Sequence, residues 1–322
     1  MRLLRTPVER FRDLPGFPYP PQYTEVPDPD GGPALRIAYV TDGPADGRIV
    51  LLLHGEPSWS FLYRSMLPVL ARAGLRAIAP DLPGFGRSDK PADVADHSYA
   101  RHVEWMRAFA FDALGLSDIT LVGQDWGGLI GLRLVAEHPD RFASVVAANT
   151  GLPTGDQDMP EAWWAFRRAV ERAQVLDIAR FVQGGCRRAL TPAERAAYDA
   201  PFPDEAYKAG PRAMPLLVPT RSDDPASEAN RAAWQVLAGW DKPFLCAFSD
   251  GDPITGAVAP VLRATVPGAA HRDHPVIPGA GHFLQEDAGA LLASQVARFL
   301  GIAEQPIRPG NDGISSGMPN TA

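Results

Sequence analysis

Short apolar runs rich in Val, Ile and Leu alternate along this chain with longer stretches of helical periodicity. Residues 35–40, 49–53, 75–79, 119–122, 144–148, 243–248 and 275–277 are near-continuously apolar, as strands buried on both faces must be. Between and after them, 61–73, 102–114, 127–138 and 288–300 carry helix-like patterning. This alternation predicts an α/β fold with a mostly parallel sheet flanked by helices.

The alternation stops after Ala148 and resumes at Pro243. Between residues 152 and 230 only helix-like segments and Pro-rich connections occur. The expected organisation is a core in two parts, 1–151 and 231–302, with a helical cap, 152–230, inserted between sheet strands. Such an insert belongs over the carboxyl edge of the sheet, where open α/β folds bind ligands. Residues 303–322, rich in Gly, Pro, Asn and Ser, are expected to form a disordered tail.

Composition narrows the partners. The chain has 322 residues, 45% hydrophobic and 21% charged, an ordinary balance for a globular protein. A net charge of −7, with no Lys/Arg cluster interleaved with aromatics, argues against nucleic acid. No run reaches a membrane span, and the start of the chain lacks the apolar stretch of a signal peptide, so the expected location is cytoplasmic. Cys186 and Cys246 make no disulfide framework. Cys246 reads as a small core residue, and Cys186 has no assigned role.

The most informative segment is Gly123-Gln124-Asp125-Trp126-Gly127-Gly128, where a predicted strand turns into a predicted helix. An aspartate that only caps a helix needs no glycine on either side of it. Glycines at both positions fit the nucleophile elbow, G-x-S-x-G, with Asp125 in the serine's place. Two later loops supply partners. Ser249-Asp250-Gly251-Asp252-Pro253 follows a late strand, and Gly279-Ala280-Gly281-His282-Phe283 follows the last one. Nucleophile, acid, histidine is the chain order of α/β-hydrolases, giving Asp125, Asp252 and His282 as the catalytic residues. Asp250, beside Gly251, reads as a turn former. The backbone N–H groups of Trp126 and Glu56, the latter in His54-Gly55-Glu56-Pro57, are the candidate oxyanion hole. His54 reads as structural, and the loop Asp81 to Ser88 lacks the pattern of a phosphate loop.

Aspartate at the elbow points away from esterases. A serine attacking a saturated carbon would leave an ether that activated water cannot readily cleave. A carboxylate leaves an ester, which a histidine-activated water can open. Two leaving groups suit it: a halide, which wants N–H donors in a dry pocket, or an epoxide oxygen, which wants an acid such as tyrosine. Trp126 supplies an indole donor beside the nucleophile. In the insert, Trp163 and Phe166 share one helical face, with Trp164 turned aside.

These segments, with Ser58-Trp59, Asp81-Leu82-Pro83-Gly84-Phe85-Gly86 and the insert run Ala200-Pro201-Phe202-Pro203-Asp204-Glu205-Ala206-Tyr207, resemble the haloalkane dehalogenases over nearly the whole chain. Asn149 stands where one branch of that family keeps its acid, so the resemblance is to the branch with the acid after the late strand. It implies Asp125 as nucleophile, Asp252 as acid, His282 as base and Trp126 as one halide donor. The family's second donor is an insert tryptophan. Phe166 falls near that position, and Trp164 is assigned the role, with Trp163 and Phe166 lining the substrate pocket.

The expected reaction is hydrolysis of small haloalkanes to alcohol and halide through an alkyl-aspartyl ester. The expected partners are substrate, water and halide, with no metal or organic cofactor. An epoxide hydrolase is the alternative, and would use lid tyrosines such as Tyr198 and Tyr207. A non-catalytic receptor on the same scaffold would be expected to carry a broken triad.

Overall fold

A computed structural model describes residues 1–302; the tail expected over 303–322 lies outside the described residues. Seven strands form the main sheet: β1 (Gln22–Val26), β2 (Leu35–Asp42), β3 (Arg48–Leu53), β4 (Leu75–Pro80), β5 (Ile119–Gln124), β6 (Phe142–Ala148) and β7 (Phe244–Cys246). Their order is β1-β2-β4-β3-β5-β6-β7, and every pairing from β4 to β7 is parallel. The edge pairings, β1 with β2 and β2 with β4, are antiparallel.

The apolar runs form strands because both sheet faces are covered. In β3, Val50 to Leu53 are all fully buried, and all six residues of β5 are buried. β1 is the strand that patterning misses. It lies at the edge, and only Val26 of its five residues is buried. The late run 243–248 divides: Phe244–Cys246 joins the main sheet, while Phe248–Ser249 pairs in parallel with Val276–Ile277.

The order in which strands are added to the sheet reverses between the parallel neighbours β3 and β5, the arrangement that opens a crevice at the carboxyl edge. The strands there end nearly level, with Leu53 opposite Gly123, Gly123 opposite Ala147, and Ala147 opposite Cys246. The loops carrying Glu56, Asp125, Asn149 and Asp252 therefore emerge side by side.

Helices Glu161–Arg172, Ile178–Gly184, Pro192–Asp199 and Ala209–Leu217 build the insert. A capping box of Thr191 and Glu194 starts the third, and Asp177 caps the second. A further helix, Ser227–Leu237, runs straight across the junction expected at 230/231. Its Asn230 accepts a hydrogen bond from Arg133 of the helix Trp126–Glu137, so it is docked on the core. Among the described residues, no helix is long and apolar enough to cross a membrane.

Candidate active site

Asp125 sits between β5 and the helix Trp126–Glu137 with φ 50° and ψ −125°, a conformation side chains rarely adopt. The turn survives because its surroundings over-determine it. Asp125 N–H donates to the Asn149 carbonyl at 3.0 Å, and the Asp125 carbonyl accepts from Gly128 N, Leu129 N and Thr150 Oγ1. A Cβ on Gly127 would run into the Leu53 carbonyl, and one on Gly123 would lie 2.7 Å from Gly128 Cα. Glycine on both sides is thus required by close backbone approach.

The Asp125 carboxylate faces two partners. Oδ1 accepts the Glu56 backbone N–H at 2.9 Å, and Oδ2 lies 3.4 Å from His282 Nε2. On the other side of the ring, His282 Nδ1 is 3.1 Å from Asp252 Oδ2. The structure thus brings Asp125, His282 and Asp252 into one line. Asp250 is exposed and accepts instead from Gly279 N at 3.0 Å.

Electrostatics set the protonation of this line. Burial works against a charged imidazole, but Asp252 and Asp125 outweigh it and push His282 up to about 10. Burial likewise works against the Asp252 carboxylate, which His282 and the donors Thr255 and Ile254 nevertheless draw down to about 2. Ile254 N reaches Oδ1 at 2.9 Å, and the Thr255 hydroxyl donates to Oδ2.

Three further residues belong to the site without having been picked out as part of it from the sequence. Asn149 is fully buried, and its Nδ2 donates to the Gly281 and His282 carbonyls at 2.9 and 3.0 Å. Its Oδ1 accepts from Ser249 N at 2.9 Å, tying the acid's loop to the histidine's. Thr255 is the second, and the pattern Asp252-x-x-Thr255 was its available signal. Asp287 is the third, accepting from Gly281 N and from the insert's Arg187 and Arg188 N–H groups at 2.8–3.0 Å. The insert answers with the Gly185 carbonyl, which accepts from Phe283 N at 3.1 Å. The Glu56 side chain is also buried here. Burial and the nearby Asp125 charge hold its carboxyl well above the usual range.

A channel of about 1370 Å³ opens onto Asp125 and His282. Three of the seven tryptophans line it: Trp126, Trp163 and Trp234. Trp234 spends its indole N–H on the Leu152 carbonyl at 2.7 Å. Trp126 packs at 4.9 Å between ring centroids on Tyr99. Phe166 lines the channel as well, but Trp164 does not. The helix Glu161–Arg172 turns Ala162, Trp163, Phe166 and Ala169 inward, and Trp164 stands edge-on behind Trp163 at 4.8 Å. Neither Tyr198 nor Tyr207 lines the channel, and the Tyr198 hydroxyl is buried against Glu286. His54 is buried, with Nε2 accepting from Leu82 N at 2.9 Å, as befits a loop-holding residue.

The chain matches the family model described as the alpha/beta hydrolase fold over residues 48–289. It is 51% identical over 300 residues to a haloalkane dehalogenase of Psychrobacter cryohalolentis, covering 93% of this chain and 98% of that one. To a haloalkane dehalogenase of Mycobacterium marinum it is 50% identical over 296 residues, covering 92% and 99%. A solved structure of a haloalkane dehalogenase from Paraglaciecola agarilytica, described as tetrameric, superimposes with a TM-score of 0.84 at 37% identity, covering 92% of this chain and 97% of that one.

Proposed function

Because this chain belongs to the haloalkane dehalogenase family, within the α/β-hydrolase fold, we propose that it hydrolyses haloalkanes to alcohol and halide through an ester on Asp125. The observation that carries this reading is a carboxylate at the elbow, in line with His282 and facing an indole-lined channel.

In the first step Asp125 attacks the halogen-bearing carbon, the carbon–halogen bond breaks, and halide leaves unprotonated. The Trp126 and Trp163 indoles donate to the departing anion. Trp163 takes the role given above to Trp164, because it lines the channel and Trp164 does not. Trp234 is given no such role, since its N–H donates to the Leu152 carbonyl. The insert serves as the cap that supplies Trp163.

Esterification then changes the electrostatics. The free enzyme holds His282 protonated between two carboxylates. Once Asp125 is alkylated, one of those negative charges is gone, and the ring can release its proton and serve as a general base. His282 takes a proton from water, and the hydroxide adds to the ester carbonyl, which belongs to Asp125. The Glu56 and Trp126 N–H groups receive the oxyanion. On collapse the imidazolium, stabilised by Asp252, gives its proton to the departing alkoxide to make the alcohol, and the acid left on Asp125 returns its proton to His282, restoring the carboxylate. Water and haloalkane are the only reactants.

Epoxide opening is not favoured, because no tyrosine hydroxyl lines the channel among the described residues. Replacing His282 by Phe tests the scheme. Halide should appear in a single burst of one per active site, and intact-mass analysis should find the alkyl group on Asp125. Steady turnover by this variant without an adduct would refute the two-step mechanism.

A further inference from the structure

We infer that Gln124 is a positioning residue for the second step, whose side-chain amide holds an N–H donor against His282 Nε2 and so favours the neutral ring that takes a proton from water; this rests on the dehalogenase reading above. The two half-reactions ask different things of the ring. Displacement of halide needs no proton transfer, whereas hydrolysis of the ester needs a bare Nε2. Alkylation of Asp125 removes one charge that keeps the ring protonated, but Asp252 stays at 3.1 Å from Nδ1. A contact that favours loss of the proton has to act at Nε2 itself.

Gln124 is the last residue of β5 and is fully buried. Its Nε2 lies 3.2 Å from His282 Nε2 and 3.2 Å from the His282 carbonyl oxygen. One N–H donates to that carbonyl, and the other faces the ring nitrogen. The same pair of contacts fixes which way the amide points. Turned over, Oε1 would stand against the carbonyl oxygen, two acceptors with no proton between them. As it stands, Oε1 has no hydrogen-bond partner among the described residues. It lies under the early loop, where a Cβ on Gly55 would come within 2.6 Å of it. A buried acceptor left bare is destabilising, and here it is the counterpart of turning the positive end of the amide toward the base.

Electrostatics gives the contact its sign. With a proton on Nε2, two donors face each other, and the imidazolium is disfavoured. With Nε2 bare, its lone pair accepts from the amide, and the neutral ring keeps its remaining proton on Nδ1, against Asp252. As water arrives it takes that lone pair over from the amide and surrenders its own proton there. The titratable groups facing the ring act in the opposite sense. Asp252 from the acid's loop, Asp125 from the elbow and the Glu56 carboxyl from the early loop each favour the imidazolium when ionised. From the cap, Gly185 packs beside the Cβ of His282 and brings no charge. Burial disfavours the imidazolium as a whole, and Gln124 adds a donor at the one nitrogen that the reaction uses.

The test separates the two steps in a single turnover of 1-bromobutane across a range of pH. Rapid-quench halide release reads the first step, and mass analysis of the alkyl-enzyme reads its hydrolysis. Gln124→Met keeps the length of the side chain and removes the donor. Halide release should stay within about twofold. The acid limb of ester hydrolysis should move up by roughly half to one pH unit, the worth of one neutral hydrogen bond. Below that limb, hydrolysis should slow about three- to tenfold. Gln124→Glu, which adds an anion facing Nε2, should move the limb further up than Gln124→Met, and it decides alone if Gln124→Met does not fold. Hydrolysis unchanged in rate and pH profile overturns this inference and leaves dehalogenation standing. So does a loss shared equally by both steps with the limb unmoved, since Gln124 then serves only the fold. If the unaltered protein releases no halide and forms no adduct, the underlying reading has failed as well.

Discussion

The two walls of the channel are built on opposite principles. Around Asp125 and His282, backbone and side chains are tied together by hydrogen bonds. Asn149 joins three loops, Asp252 is held by Thr255 and Ile254, and a strained φ at Asp125 is pinned by four contacts. The cap wall is mostly side chains in van der Waals contact, Trp163, Phe166, Ala169 and Ala173, with Asp177 and Arg180 among the polar groups beside them. A wall that must hold reacting atoms to a fraction of an ångström needs directional bonds. One that only has to accept hydrocarbon needs shape and apolar area. Substitutions should accordingly fail steeply on the first wall and gradually on the second.

The steepest loss is expected at the acid. Asp252→Asn keeps the shape but removes the charge that supports the imidazolium, and should lower kcat on the order of 10⁴-fold, as for the acid of a serine-protease triad. Asp250→Asn, at an exposed turn, should stay within about twofold, since surface changes of this kind are nearly neutral. Measuring both in steady state would separate them at once, and an equal loss would dissolve the contrast.

Next come the indoles. Trp126→Phe and Trp163→Phe each remove a proposed donor to the halide, and a bond of that kind is worth roughly 1.5–3 kcal/mol, so each should cost about ten- to a hundredfold in halide affinity read by quenching of tryptophan fluorescence. Trp164→Phe should leave that affinity nearly intact. Were Trp164 the damaging position instead, the rotation of the cap helix would have to differ by one residue.

A smaller effect concerns pH. Folding raises His282 from 6.5 to about 10, so the fold retains a proton that the unfolded chain gives up. The resulting stabilisation is complete below pH 6.5 and is lost as pH rises through about 10. Melting temperature should therefore decline between neutral pH and about pH 10. In Asp125→Asn, which removes one of the two charges, NMR should find the His282 titration moved down and the decline shallower. The smallest change is expected for Glu56→Gln: an amide of the same shape in place of this buried side chain should alter kcat less than about threefold, because only the Glu56 backbone N–H is assigned a role.

Much of this was readable before any coordinates. The central strands announce themselves because burial on both faces demands unbroken apolar runs, and the elbow because two glycines flank one aspartate. β1 was not readable, since an edge strand such as Gln22-Tyr23-Thr24-Glu25-Val26 buries one residue and looks like a loop. The choice between Trp163 and Trp164 was not readable either. Adjacent helical residues differ by about 100° in facing, and only packing against neighbouring helices sets which one looks inward. Asn149 stood out in the sequence only for lacking a carboxylate; its clasp on two other loops is a property of strands ending level in space, with no trace in local pattern. The cap boundary at 230 fell inside Ser227–Leu237 because that helix continues the insert's periodicity while docking on the core.

Asp287 has a consequence for traffic. Its carboxylate grips Gly281 of the histidine's loop and Arg187 and Arg188 of the cap in one grasp. Lifting the cap like a hinged door would pull on the loop that carries His282 and disturb its alignment with Asp125. The molecule is thus built as a burrow under a tethered roof, and the channel is the passage it offers to what enters and what leaves. Anything lodged at the mouth obstructs entry and exit alike.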